Sequence, residues 1–207
     1  MALPMMHLLT AYDFAQDKPE FAECPEYYLG AVSPDAIHIR DGDDKSRKNA
    51  FHLNNWRTPD PDAVLEYWKT NRTPFDIGYG VHVLLDGNWA TAFRRDFPEI
   101  LLPSGKPNAE LYYNDTFTND YRFYQESPLT PFFIKMLKAA VPPKTHPLLT
   151  AEEIGAWRDW TLEFYIVKKP SGKPVRFITM DYAKRFMEQC PRIYAEIYQQ
   201  IRKDEDA

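Results

Sequence analysis

His82 and Asp86 stand four residues apart in the run Phe75-Asp76-Ile77-Gly78-Tyr79-Gly80-Val81-His82-Val83-Leu84-Leu85-Asp86-Gly87-Asn88-Trp89. The run has the composition of a helix that is apolar almost all round, and residues four apart share one helical face. His82 and Asp86 therefore point at the same place. An ionised carboxylate among Val, Leu and Trp side chains is costly unless a cation meets it. Two chemistries suit the pair: a hydrogen bond between the two side chains, or a divalent metal that takes neutral imidazole and carboxylate together.

The chain has five histidines, His7, His38, His52, His82 and His146. His7 sits in Met5-Met6-His7-Leu8-Leu9, inside an apolar N-terminal helix, and His52 lies between Phe51 and Leu53. Asp35 follows Ser33-Pro34 at a predicted helix start, where an aspartate also serves backbone amides. Each has a structural reading of its own, as a buried hydrogen-bonded histidine or a cap. Three histidines and two aspartates in apolar settings are harder to assign that way jointly.

The elements that must position these groups are mostly helices, and many of the 18 prolines mark their starts. Thr73-Pro74 with Asp76 reads as an N-cap, a proline at the first helical position and an acidic third residue. Asp60-Pro61 opens Asp62–Thr70 in the same way, Thr130-Pro131 opens Phe132–Ala140, and Ser33-Pro34-Asp35 repeats the signature. Thr150-Ala151-Glu152-Glu153 is a capping box leading into Ile154–Phe164. From about Met180 to Ile201 the pattern predicts two helices broken at Pro191. Glu163–Lys168 and Val175–Thr179 around Pro170-Ser171-Gly172-Lys173 suit a small β-hairpin, although Phe164-Tyr165-Ile166 equally suits an extension of the preceding helix. Segments 40–50 and 96–125 read as polar and irregular, with residues 42–48 as an exposed loop. The expectation is an all-α protein, one metal-binding helical domain over residues 1–207.

Composition narrows the function classes. The net charge of −5 provides no strong basic field for nucleic acid. The 15% aromatic share suits a helical core or the walls of a ligand cleft. Cys24 and Cys190 form neither a zinc-finger spacing nor a disulfide framework and read as reduced packing residues. The N-terminal residues lack a secretory pattern and no apolar run reaches membrane-spanning length, so a cytoplasmic, soluble protein is expected.

Three stretches carry a family resemblance. They are Tyr28-Leu29-Gly30-Ala31-Val32-Ser33-Pro34-Asp35-Ala36-Ile37-His38, then Lys45 to Phe51-His52, then Gly78 to Trp89, with weaker support from Tyr112-Tyr113-Asn114-Asp115. In this order they resemble the bacterial zinc-dependent phospholipase C-like family, of the phospholipase C and P1-nuclease superfamily. The resemblance spans roughly the first half of the chain. It implies an all-helical bundle in which Asp35, His52, His82 and Asp86 hold one metal. Asp86 would bridge to a second metal, with His7 as the best matching ligand. Two imidazoles and two carboxylates suit zinc, with manganese or iron acceptable. The implied chemistry is attack of a metal-activated water on a phosphate ester, of a lipid headgroup, a nucleotide or a small phosphomonoester.

The chain departs from the superfamily in two places. Secreted members use the amine of a processed N-terminal Trp, whereas residue 1 here is Met, and they carry further histidines and a Glu after the His-x-x-x-Asp motif. Here the only later histidine is His146, in a segment that reads as an exposed loop, while Asp115 and Asp120 read as turn or surface acids. A one- or two-metal site is what the sequence supports. His38 reads as a surface or supporting group, and Arg40, Lys45 and Lys48 read as a solvated basic loop before a phosphate site. Trp56, Trp89, Tyr112, Tyr113 and Tyr121 read as core before pocket walls. The competing class is a helical protein whose four ligands form a closed structural site without catalysis. An HD-type phosphohydrolase is disfavoured by the absence of a His-Asp dipeptide.

Overall fold

The computed structural model of the chain describes residues 3–42, 44, 46–54 and 57–205. Eleven α-helices and two 3₁₀ turns make up the regular structure of those residues, with no strand among them. In chain order the helices are α1 Pro4–Ala15, α2 Pro19–Ala22, α3 Pro25–Gly30, α4 Ile37–Asp41, α5 Lys48–Phe51, α6 Pro61–Thr70 and α7 Pro74–Asp96. They continue with α8 Ala109–Glu126, α9 Thr130–Ala139, α10 Ala151–Val167 and α11 Met180–Glu205. The 3₁₀ turns are Ser33–Ala36 and Pro98–Ile100. The all-α expectation holds. None of the helices is long and apolar enough to cross a membrane.

The predicted starts at Thr73, Thr150 and Asp60 are real caps. Thr73 and Thr150 each close a capping box, with Asp76 and Glu153 as the reciprocal partners, and Asp60 accepts from the Ala63 amide. Two other starts use different chemistry. Thr130 is already helical and donates its hydroxyl to the Tyr124 carbonyl. Ser33 donates to the Leu29 carbonyl at 2.7 Å, which ties the 3₁₀ turn back onto α3.

Helix α7 is central and packs against α1, α3, α6 and α11. Its apolar composition all round follows from that, because nearly every side chain from Phe75 to Phe93 meets a neighbouring helix. Helices α3 and α7 touch backbone to backbone. A Cβ on Gly30 would lie 2.0 Å from the Phe75 carbonyl oxygen, and one on Gly78 would lie 2.1 Å from the Tyr27 carbonyl oxygen. Only glycine permits that approach.

Three expectations are corrected. The hairpin proposed near 163–179 does not form: helix α10 runs through Phe164, Tyr165 and Ile166, and the segment after it is irregular. Pro170 and Pro174 lack ladder donors, and the amides of Arg176, Phe177 and Ile178 go instead to the Asp115 carboxylate. Pro191 does not break the C-terminal segment, which is one helix with the proline inside it. A buried stripe at Met180, Ala183, Met187, Cys190, Tyr194, Ile197 and Ile201 keeps helical spacing across the proline, and its packing outweighs a cost of about 3 kcal/mol. The polar region 96–125 holds the 18-residue helix α8. Its Asp115, Thr116, Asn119 and Asp120 face inward, so polar residues occupy the stripe where apolar periodicity would be sought.

Candidate metal centre

Four elements bring six side chains together: His7 from α1, Asp35 from the 3₁₀ turn after α3, Lys48 and His52 from α5 and its end, and His82 and Asp86 from α7. All six are buried, with Asp35 the most exposed at 5%. The Asp35 turn is pinned from outside by Trp157, whose indole N–H donates to the Val32 carbonyl at 2.8 Å. Helix α5 is fastened to α7 by the Tyr79 hydroxyl, which donates to the Phe51 carbonyl. It stops at once, because Leu53 and Asn54 take left-handed backbone angles, φ 50° and 62°. Asn is at home there, whereas Leu is strained, and the turn leaves His52 facing inward at the helix end.

One ligand atom from each of Asp35, His52, His82 and Asp86 lies within 4.8 Å of every other, so the group can hold a metal ion. His52 Nε2 is 3.4 Å from Asp35 Oδ1 and 3.3 Å from Asp86 Oδ2. His82 Nε2 is 3.9 Å from Asp35 Oδ2 and 3.9 Å from Asp86 Oδ2. The second distance eliminates the hydrogen-bonded His82–Asp86 pair that the spacing also allowed.

The tautomers are fixed by the backbone. His82 Nδ1 lies 2.8 Å from the Ala31 carbonyl oxygen and His52 Nδ1 lies 3.1 Å from the Lys48 carbonyl oxygen. A carbonyl only accepts, so both Nδ1 atoms carry hydrogen, and each ring in its neutral form turns an Nε2 lone pair toward the carboxylates. Neither Nε2 makes a hydrogen bond. Burial, and after it the neighbouring His7, push the His82 imidazole well below its usual pKa, so this ring is neutral at pH 7. Two Nε2 atoms and two carboxylates thus converge on one volume. Such a set could hold a metal ion, and the two carbonyl contacts are the outer hydrogen bonds that would orient its ligands.

His7 joins from the far side of Asp86. Its Nε2 is 3.6 Å from Asp86 Oδ1, and its ring stacks on His82 with centroids 3.6 Å apart and planes within 3°. Both His7 nitrogens are buried without a hydrogen bond. Asp86 therefore offers Oδ2 to the His52 side and Oδ1 to His7.

Lys48 is not part of a solvated basic loop, as its sequence context suggested. Its ammonium is buried in the cluster, 2.6 Å from Asp35 Oδ1 and 3.6 Å from Asp86 Oδ2. Burial works against that charge, but Asp35 and Asp86 outweigh it and hold the proton above the ordinary lysine range. Burial likewise raises both carboxyl groups, and the Lys48 ammonium beside them overcomes it, so Asp35 and Asp86 stay ionised well below the usual carboxylate range. Lys48 and His52 are four apart, as His82 and Asp86 are, but Lys48 stands in a run of charged residues rather than in an apolar helix, so the spacing alone does not mark it.

The other candidates lie elsewhere. His38 pairs Nδ1 with the Gly42 carbonyl at 2.6 Å, and Arg40 is clamped by Glu153. His146 is not on an exposed loop: its Nδ1 accepts the Leu149 amide and its Nε2 donates to Tyr67, whose hydroxyl donates to Asp76. Asp115 and Asp120 are buried acids serving backbone amides, not surface acids or ligands. Asp120 accepts from the Met5 and Met6 amides and from Tyr165, which caps α1 just before His7. Lys45 and Trp56 lie outside the described residues.

Comparison of the chain with protein-family models, with curated proteins and with solved structures gives no match in any of the three.

Proposed function

We propose that this chain is a metal-dependent hydrolase of a phosphate ester, with zinc as the preferred ion. The observation that carries the reading is the pair of buried Nε2 atoms, on His52 and His82, that make no hydrogen bond and face two ionised carboxylates. A two-nitrogen, two-oxygen donor set suits zinc, and manganese or iron next. A bound ion would supply Lewis acidity for lowering the pKa of a water and neutralising phosphate charge.

The side chains have separate roles under this reading. Ala31 and the Lys48 carbonyl hold the two imidazoles in the ligating tautomer, and Lys48 Nζ holds the Asp35 carboxylate in place. His7, against the second oxygen of Asp86, is the protein group for a second ion. In the hydrolysis the water oxygen bonds to phosphorus, the ester P–O bond breaks, and the alcohol leaves with a proton from the water. The phosphate-ester assignment draws on the resemblance of residues 28–38, 45–52 and 78–89 to the phospholipase C-like family.

The test is elemental analysis of protein purified without an affinity tag or added metal, with hydrolysis of p-nitrophenyl phosphate and its bis-ester measured in parallel. The expected result is at least one equivalent of metal, lost together with hydrolysis in soluble His82→Ala and Asp86→Asn variants. Metal retained in both variants would overturn the site.

A second reading rests on completeness. Asp35, His52, His82 and Asp86 fill four positions and are all buried, which is the pattern of a closed structural ion. A metal-loaded chain that hydrolyses neither ester and unfolds on chelation would establish that role instead.

A further inference from the structure

A cavity of about 520 Å³ opens beside the metal centre, and Lys48 belongs to both. Its walls carry Arg57, Arg94 and Lys106 beside Lys48, whose ammonium is paired with Asp35 and Asp86 behind the wall, and no acidic side chain lines it among the described residues. In a chain of net charge −5, that segregation is a selective concentration of positive charge. The cations are graded by depth. Arg57 and Lys106 are exposed at the mouth, Arg94 is half-buried, and Lys48 is fully buried at the inner end.

The frame is rigid. Arg94 is held by its donation to the Ala90 carbonyl at 2.6 Å and lies over the Phe93 ring. Tyr112 accepts from the Trp89 indole at 2.8 Å, which fixes its hydroxyl at the wall. Tyr113, also lining the cavity, stands close enough to Lys48 to help hold its proton. Burial pulls the Arg94 pKa down, Tyr112 opposes it, and repulsion from Arg57 adds to the fall.

We propose that this cavity is the anion pocket of the same site, and that it selects a phosphomonoester dianion over a phosphodiester. The inference rests on the hydrolase reading for its role in turnover, but not for binding. A monoester carries about −1.5 to −2 charge at neutral pH and three acceptor oxygens, which suits several guanidinium and ammonium donors at once. A diester carries one charge, and a zwitterionic lipid headgroup would place its own cation among four others. The volume is that of a small-molecule pocket.

The experiment is isothermal titration of the full chain with phenyl phosphate, diphenyl phosphate and glycerophosphocholine, with and without added zinc. Metal content is measured on the same samples. Phenyl phosphate is expected to bind at least tenfold more tightly than the other two. Arg94→Gln should weaken it tenfold or more, and the exposed double variant Arg57→Gln/Lys106→Gln several-fold, with metal content unchanged in both. Equal phenyl phosphate affinity in wild type and both variants would overturn the pocket. Diphenyl phosphate or glycerophosphocholine binding as tightly would overturn the monoester preference. Phenyl phosphate bound by a chain that takes up no metal would sink the hydrolase reading and leave the pocket standing. Ester hydrolysis unaffected by Arg94→Gln would do the reverse.

Discussion

Lys48 and Asp35 form a buried ion pair, Nζ to Oδ1 at 2.6 Å, inside the group of side chains that can hold a metal. The same ammonium lies 3.6 Å from Asp86, so one lysine is shared by two carboxylates. Both carboxylates are anionic in the folded chain, and without a further cation they outnumber the charge that neutralises them. Lys48 and a bound ion therefore act in the same direction, each offsetting the buried negative charge.

Replacing Lys48 by Met tests that relationship. Removing one partner of a buried ion pair costs about 3–5 kcal/mol, because the remaining charge stays desolvated. The metal-stripped Lys48→Met chain should melt well below the metal-stripped wild type, and saturating zinc should raise its Tm by more than it raises that of the wild type. Thermal denaturation with and without zinc measures both shifts. Equal melting temperatures of the two stripped proteins would remove Lys48 from this role.

Two glycines make a matched pair for the α3–α7 contact that places His82. In helix α10 a Cβ on Gly155 would meet only Pro142 Cγ, at 3.6 Å, an ordinary contact. Gly155→Ala should therefore stabilise by up to about 1 kcal/mol through helix propensity alone. In α7 a Cβ on Gly78 would sit 2.1 Å from the Tyr27 carbonyl oxygen and 2.9 Å from the Ala31 nitrogen, and backbone cannot step aside as a flexible side chain can. Gly78→Ala should cost about 1–3 kcal/mol or more, and separating the helices should disturb the bond from His82 to the Ala31 carbonyl. Urea denaturation of both variants reads the opposite signs, and zinc titration of Gly78→Ala reads the loss of preorganisation. A stabilised Gly78→Ala chain would show that the helices have room to part.

The legible parts of this protein are those in which one residue type has one use. Thr73 and Thr150 with their acidic partners announced helix starts, because a capping box satisfies particular backbone amides wherever it occurs. His82 and Asp86 were legible because a charged residue in an apolar helix needs a reason. Lys48 was not, since it follows a run of charged residues, and only the tertiary fold folds α5 under the 3₁₀ turn of Asp35. Helix α8 was hidden for a related reason. Its inward face is made of Asp115, Thr116, Asn119 and Asp120; Thr116 bonds back to the Tyr112 carbonyl, and the others meet loop amides, a loop carbonyl and the start of α1, 59 or more residues distant. No periodicity announces a polar stripe that is buried by contacts so far along the chain.

Asp120 provides a pH-dependent readout of one of those distant contacts. Burial pushes its carboxyl up to about 7, against the pull of the Tyr165 hydroxyl and the Met6 and Met5 amides that it accepts from. In the unfolded chain the same group titrates at its ordinary value of 3.8. Between these values the unfolded state has released a proton that the folded state still holds. Stability therefore falls as pH rises from about 4 to about 7, by up to about 1.4 kcal/mol per pH unit from this group, and levels off above the folded pKa. Asp120→Asn has no proton to lose. The difference in unfolding free energy between wild type and Asp120→Asn, measured in urea from pH 4.5 to 8, should change across that window in the wild type's disfavour and then become flat. A difference that stays constant from pH 4.5 to 8 would mean that Asp120 is ionised in the folded chain throughout, with the start of α1 and its two amides stabilising a carboxylate.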